Sequence, residues 1–267
     1  MTFKKTICNK EIFIHIEKDL FDSQKEIFLA LLSTFKLSNI APSSKFLITS
    51  NKLCMNNSYY CDINNEKWVF LLLNALEDYF AITLNCTVLH GSCIKLSDNT
   101  IAIIGERKSG KTTLTKYMID QKKAKYLTDD SIYIVNNYYC GFNMPIPMRN
   151  TLFQFGNMIC TSSDDEGSQR IIYSINNCFE KSEIINYILF PKYNEANTVF
   201  NVNRVKKSKL FNILISNVRH MENMNVLFKD LSLLTNNAIS YCIQYSQCDE
   251  IFEWLYNIIT TNKQKGK

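Results

Sequence analysis

An α/β fold is what this sequence predicts, on three observations. Apolar runs of strand length alternate with amphipathic runs of helix length along most of the chain. One apolar run, Asn99–Ile104 (NTIAII), feeds directly into the glycine-framed segment Gly105-Glu-Arg-Lys-Ser-Gly-Lys-Thr112, which feeds directly into a helical pattern over residues 111–121. A short strand at Tyr126 and Leu127 then ends at Thr128, Asp129 and Asp130, completing a strand–helix–strand unit.

The elements follow in order. Residues 11–16 (EIFIHI) alternate as a strand, 24–35 read as a helix, 45–49 and 59–62 as short strands, and 67–82 as an amphipathic helix. Pro42, Ser43 and Ser44 mark a turn, and His15 sits in the alternating strand as an ordinary satisfied histidine. These residues, 1–84, are expected to form a small α/β module, with 85–267 as the second domain. There, 87–94, 99–104 and 131–135 read as strands, and 138–147 as a turn and loop around Gly141, Pro145 and Pro147. Residues 183–190 form a strand closed by Pro191, 206–218 a helix, 239–245 a strand and 249–259 a terminal helix.

Composition narrows the class. A chain of 267 residues with 46% hydrophobic residues can bury one large core, or a main domain plus a small one. No run of eighteen apolar residues and no secretory pattern at the N-terminus is present, so a cytoplasmic protein without a membrane partner is expected. The ten cysteines show no CxxC pair and no Cys/His metal spacing, so they read as reduced core residues. The net charge of +5 is spread along the chain instead of forming the patterned stripe that nucleic acid requires, and no nucleic-acid partner is expected.

Residues 105–112 match GxxxxGK[ST] in the strand-before, helix-after context that gives the motif meaning. Glycines at both ends let the backbone wrap close to phosphate oxygens, and the helix N-terminus favours anions. The expected contacts for a nucleoside triphosphate are Gly105, Ser109, Gly110, Lys111, Thr112 and Thr113. Lys111 would reach the β- and γ-phosphates and the Thr112 hydroxyl would ligate magnesium.

Asp129 and Asp130 lie one helix and one short strand beyond Lys111, so a right-handed crossover returns them to the carboxyl edge of the sheet. Two carboxylates there would divide the labour: one for magnesium, expected with Thr112 to be Asp130, and one to accept a proton from an attacking hydroxyl. The sequence does not decide which is the base, and a solvated turn is the structural alternative. His90, in an apolar strand before Gly91, would orient a carboxylate or stabilise phosphate charge, although on pattern alone a lone histidine in an apolar strand is more often structural. Arg149 would clamp an acceptor or the γ-phosphate, or form a surface ion pair. Asp164, Asp165 and Glu166 read as a solubilising loop, and Arg204 with Lys206, Lys207 and Lys209 as a solvated face.

Three segments together, Val88-Leu-His-Gly-Ser-Cys93, Gly105-Glu-Arg-Lys-Ser-Gly-Lys-Thr-Thr113 and Leu127-Thr-Asp-Asp-Ser-Ile132, resemble the catalytic domain of HPr kinase/phosphorylase in order and spacing. The resemblance is clear over residues 85–145 and looser to the C-terminus. It is nearest to the shorter HPr-kinase-like branch, which includes kinases associated with lasso peptides, and the glycine-rich signature of the bifunctional members has no counterpart here. The resemblance implies a phosphoenolpyruvate-carboxykinase-like P-loop kinase core with a mixed sheet. It further implies ATP and Mg2+ as cofactors, and transfer of the γ-phosphoryl group to a serine-type hydroxyl of a peptide or protein, including a ribosomally made precursor. Catalytic roles fall on Asp129, Asp130, His90 and Lys111. A homo-oligomer and a monomer are both open. The competing expectation is a nucleotide-gated binding or regulatory module that keeps the loop without efficient transfer.

Overall fold

A computed structural model of the chain describes residues 1–33, 35–39, 45–49, 52–55, 58–62, 67–120, 124–140, 145–148, 156–163, 167–175, 182–195, 199–221 and 223–265. In chain order the first elements are β1 (Thr2–Ile7), β2 (Lys10–Ile16), α1 (Lys18–Ser23), α2 (Lys25–Leu31), β3 (Lys36–Ser38), β4 (Phe46–Ile48), β5 (Lys52–Met55), β6 (Ser58–Asp62) and α3 (Trp68–Leu84). Next come β7 (Thr87–Leu96), β8 (Asn99–Ile104), α4 (Lys111–Asp120), β9 (Ala124–Thr128), β10 (Ser131–Val135), β11 (Tyr138–Tyr139), β12 (Ile146–Met148), β13 (Gly156–Ser163) and β14 (Gln169–Ile175). The chain closes with β15 (Glu183–Tyr193), β16 (Asn201–Arg204), α5 (Lys207–Ile215), β17 (Val218–His220), α6 (Met224–Asn237), β18 (Ile239–Tyr245) and α7 (Cys248–Lys265). The fold is α/β with mixed sheets.

Two compact units result, one of Met1–Cys86 with Gly141–Ser182 and one of Thr87–Cys140 with Glu183–Lys267. The sequence boundary at 84/85 falls close to the start of the second unit, but residues 141–182, expected in the same domain as the glycine-framed loop, cluster with the first. Their strands pair among themselves in the order β12-β14-β13, and β13 packs on α2 and α3.

In the first unit a six-stranded sheet runs β3-β1-β2-β4-β5-β6, with β2 and β4 parallel. Cys8 and Asn9, both at positive φ, make the two-residue turn joining β1 to β2. The α3 helix buries Leu72, Leu76, Tyr79 and Phe80, and the Tyr79 hydroxyl donates to Phe13 O at 3.0 Å. His15 is satisfied by the Thr2 hydroxyl at 2.8 Å. The helix expected over 24–35 is α2, which ends at Leu31; a further helix, α1, precedes the expected range and is separated from α2 by Gln24, whose φ of −122° and ψ of 23° break the helical run.

The second unit is a nine-stranded sheet ordered β11-β10-β7-β8-β15-β18-β16, with β9 and β17 also paired to β7. β8, β15 and β18 are parallel neighbours, while β7 runs antiparallel to β8. Strands buried on both faces explain the unbroken apolar runs of Asn99–Ile104 and 187–190. β15 continues through Pro191 instead of stopping there: its pairing with β8 ends at Leu189, so the missing amide breaks no ladder on that side. The helix expected to reach residue 218 ends at Ile215, and the chain turns into β17 beside β7. The sequence reading assigns nothing to α6, whose Asn223 cap accepts from Asn225 N at 2.8 Å. Among the described residues, no helix is long and apolar enough to cross a membrane, and Cys8, Cys54, Cys86, Cys93, Cys140, Cys160, Cys242 and Cys248 are free thiols; Cys86, Cys93 and Cys140 are buried as expected of core residues, whereas Cys8 and Cys242 are exposed.

Candidate functional site

The strand order sets the site. β8 and β9 run in the same direction on either side of β7, pairing Ile104 with Gly91 and Thr128 with Cys93. Their carboxyl ends therefore open at one edge, with Ser92 between them. β8 delivers the glycine-framed loop to that edge and β9 delivers the acidic pair, as the crossover argument expects.

Within the loop, Ser109 N donates to Glu106 O at 3.2 Å, and Lys108 and Gly110 both take positive φ. Gly110, at φ +94°, suits only glycine without strain, because a side chain there meets the Tyr245 hydroxyl as well. α4 starts immediately, with Leu114 N donating to Gly110 O at 2.9 Å. Lys111 is buried, and its Nζ donates to Gly105 O and Glu106 O, each at 2.8 Å. Burial pulls its pKa down, while Asp129 and Asp130 push it back up. The Ser109 Oγ is buried without a hydrogen-bond partner among the described residues.

Asp129 and Asp130 form the turn between β9 and β10, pinned by Ser131 N donating to Asp129 O at 2.9 Å and Gly91 N to Asp130 O at 3.2 Å. Asp130 takes φ +69°, so the neighbouring carboxylates diverge. The Asp129 carboxylate is buried and accepts from the Thr112 hydroxyl at 3.0 Å and from the Ser92 hydroxyl. Burial raises its pKa, and the charge of Asp130 adds to that against the lowering effect of the two hydroxyls. Asp130 faces the other way. Its carboxylate lies 3.2 Å from His90 Nδ1 and is paired with Arg219. Desolvation would raise its pKa, but the His90 and Arg219 contacts outweigh it and hold the group well below the usual carboxylate range.

The expected residues thus meet, with one difference. Thr112 is joined to Asp129, not to Asp130, so the oxygen pair able to hold a hard cation is Thr112 Oγ1 with the Asp129 carboxylate. Among the described residues, no group of three His, Cys, Asp or Glu side chains makes a metal site by itself. Arg149 and the acidic residues 164–166 lie outside the described residues. Two site residues escaped the sequence reading. Ser92 was signalled: it is two residues from His90 on one strand, hence on the same face. Arg219 was not; it reaches Asp130 from a strand of three residues 89 positions away.

Chemically, the site pairs an amide-rich loop and a buried lysine with one carboxylate beside a hydroxyl and a second carboxylate held ionised. Compared with protein-family models and with curated proteins, the chain matches none.

Proposed function

We propose that the chain is an HPr-kinase-like kinase with a phosphoenolpyruvate-carboxykinase-like core. In this reading it works in the cytoplasm with ATP and Mg2+ and moves the γ-phosphoryl group to a serine-type hydroxyl of a peptide or protein. A ribosomally made precursor peptide is the acceptor class that the sequence resemblance favours. The observation carrying this reading is the meeting of Lys111, Thr112, Ser92, Asp129, His90 and Asp130 around one sheet edge, with the two carboxylates turned to different partners.

Binding begins with the loop, whose amides and Ser109 hydroxyl can take phosphate oxygens. Lys111 exchanges its two carbonyl partners for phosphate oxygens, a stronger charge-assisted contact. Thr112 and Asp129 fit magnesium, which takes oxygen ligands and leaves several positions to phosphate and water. When bound, magnesium neutralises charge on the β- and γ-phosphate oxygens. Asp129 suits that neighbour because its hydroxyl donors leave a buried carboxylate short of positive charge.

Asp130 is the base in this reading. As the acceptor oxygen bonds to the γ-phosphorus and the bond to the bridging oxygen breaks, its carboxylate accepts the hydroxyl proton and ADP leaves. A carboxylate with depressed pKa is a weak base, but a loose transition state requires proton removal only late. His90 and Arg219 fix its orientation.

The test incubates the purified chain with ATP, magnesium and serine-containing peptides, precursor-like and unrelated, and reads the mass gain of one phosphoryl group. Transfer in the wild type that Asp130→Asn abolishes, with ATP affinity retained, is expected. Normal ATP binding without transfer to any peptide, joined to a nucleotide-dependent change in partner affinity that survives Asp130→Asn, would replace this reading with the binding-module one.

A further inference from the structure

The loop has two flanks, and only one carries the acidic pair. In the order β10-β7-β8-β15-β18 the loop leaves β8, Asp129 and Asp130 lie toward β7 and β10, and on the other flank the parallel strands β15 and β18 end at Tyr193 and Tyr245. A cavity of about 600 Å³ opens there, within the about 300–1,000 Å³ of small-molecule sites. Its wall includes Gly110 and Thr113 from the loop and start of α4, Tyr117 one turn on, Tyr193 and Tyr245, and Asp249 at the start of α7. It therefore sits outside the carboxyl ends of three neighbouring parallel strands, where open α/β sheets bind ligands.

We infer that this cavity is the subsite for the nucleoside of the phosphoryl donor, an inference that rests on the loop holding that donor's phosphates. The site is aromatic where a base needs a flat partner. The Tyr193 and Tyr245 rings lie 5.6 Å apart at 65°, an edge-to-face pair in which buried Tyr245 braces a Tyr193 that is 46% exposed. Tyr193 is also tied to the loop, its N–H donating to Ser109 O at 3.3 Å. Asp249 and Gln247 add polar edges able to accept hydrogen bonds from amino or ribose hydroxyl groups. The nucleotide then lies across the loop with its nucleoside on the tyrosine flank and its γ-phosphate toward Thr112 and Asp129. That order leaves the acceptor side to Asp130.

Calorimetric titration of the full chain with magnesium, using tripolyphosphate and ADP as separate probes, tests this. Tyr193→Ala is the chosen variant because the side chain is half exposed, with Tyr193→Phe as the conservative control. Loss of one stacking partner should weaken ADP about ten- to hundredfold. Tripolyphosphate should change less than about twofold, and Tyr193→Phe should bind ADP like the wild type. Unchanged ADP affinity in Tyr193→Ala, or equal losses for ADP and tripolyphosphate, overturns the subsite while leaving the loop reading intact. Failure of both probes to bind the wild type overturns the loop reading and the subsite with it.

Discussion

Replacing Gly110 by alanine tests the geometry where the loop meets the tyrosine flank. Two separable costs arise. The backbone sits at φ +94°, where an L side chain costs about 1–2 kcal/mol. The new Cβ would also fall inside van der Waals contact of the Tyr245 hydroxyl, with Tyr193 Cβ at 3.2 Å and Tyr245 Cζ at 3.4 Å. Tyr245 is fully buried, so its ring cannot swing into solvent, and overpacking of this kind costs about 1–3 kcal/mol. The sum is about 2–5 kcal/mol. In a Tyr245→Phe background the clashing oxygen is gone and the nearest ring carbon is at ordinary contact distance, so the backbone cost and the smaller crowding against Tyr193 Cβ should remain. The Tyr245 hydroxyl lies 3.5 Å from Gly110 O, a long contact whose loss is worth less than about 1 kcal/mol. Urea unfolding of the four-member cycle, followed by Trp254 fluorescence in a Trp68→Phe background, reports the unit holding the site, because the Trp254 ring packs at 4.9 Å on Tyr241 of β18. A coupling of about 1–3 kcal/mol is expected. Additivity within about 0.5 kcal/mol would show that Tyr245 does not bear on Gly110 and would refute the packing described.

Other substitutions separate the roles assigned to the site. Asp129→Asn should stabilise the ligand-free protein at neutral pH. The buried carboxylate's pKa is raised above the 3.8 of the unfolded chain, so the protonated form's contribution is present below that value and lost as pH rises through the folded pKa. The melting-temperature gain over wild type should accordingly grow from pH 4 to pH 7, and a gain absent at pH 7 contradicts the assignment. Arg219→Ala should leave stability nearly unchanged, since the two side chains are 34% and 42% exposed, but should move the acidic limb of the rate–pH profile upward as Asp130 loses its guanidinium. A profile that stays in place would detach Arg219 from the base. Lys111→Met should weaken tripolyphosphate and ATP alike by at least about tenfold, the loss of one charge-assisted contact. Equal affinities in calorimetry would remove the lysine from the phosphate site.

The legible parts of the molecule are those whose signals are local. β8, β10 and β18 are read to the residue because each is a short apolar run bounded by turn residues, and the loop is read because two glycines framing one segment stand out in a chain with only seven. What escaped depends on contacts distant in sequence. KSKLFNILI carries a helical pattern, and nothing local says that Ser216 ends it and that Asn217 O accepts from His90 N, 2.8 Å away. Arg219 thereby enters the site through the sheet, not through a motif. The clustering of residues 141–182 with the first unit likewise reflects pairing among β12, β13 and β14 and packing on α2 and α3, none of it visible in a window of ten or fifteen residues. Ser92 is the intermediate case, recoverable from strand alternation once His90 is suspected.

The same topology explains why Asp129 and Asp130 need not share a role, although they are chemically identical neighbours. Had Asp130 kept extended backbone, both residues would belong to one strand and alternate across its two faces, and nothing would tie the second to β17. Its positive φ instead turns the chain so that its carbonyl caps Gly91 N while its carboxylate meets His90 and Arg219, and Asp129 stays with Thr112 and Ser92. One carboxylate is buried among hydroxyls and gains from a cation beside it. The other is already matched by an arginine and gains nothing from a second positive charge. The proposed division between a cation-binding and a proton-accepting carboxylate therefore rests on one backbone dihedral. Asn at position 130, which tolerates the left-handed region, should preserve it, so a loss of transfer in Asp130→Asn reports the missing charge and not a misfolded turn.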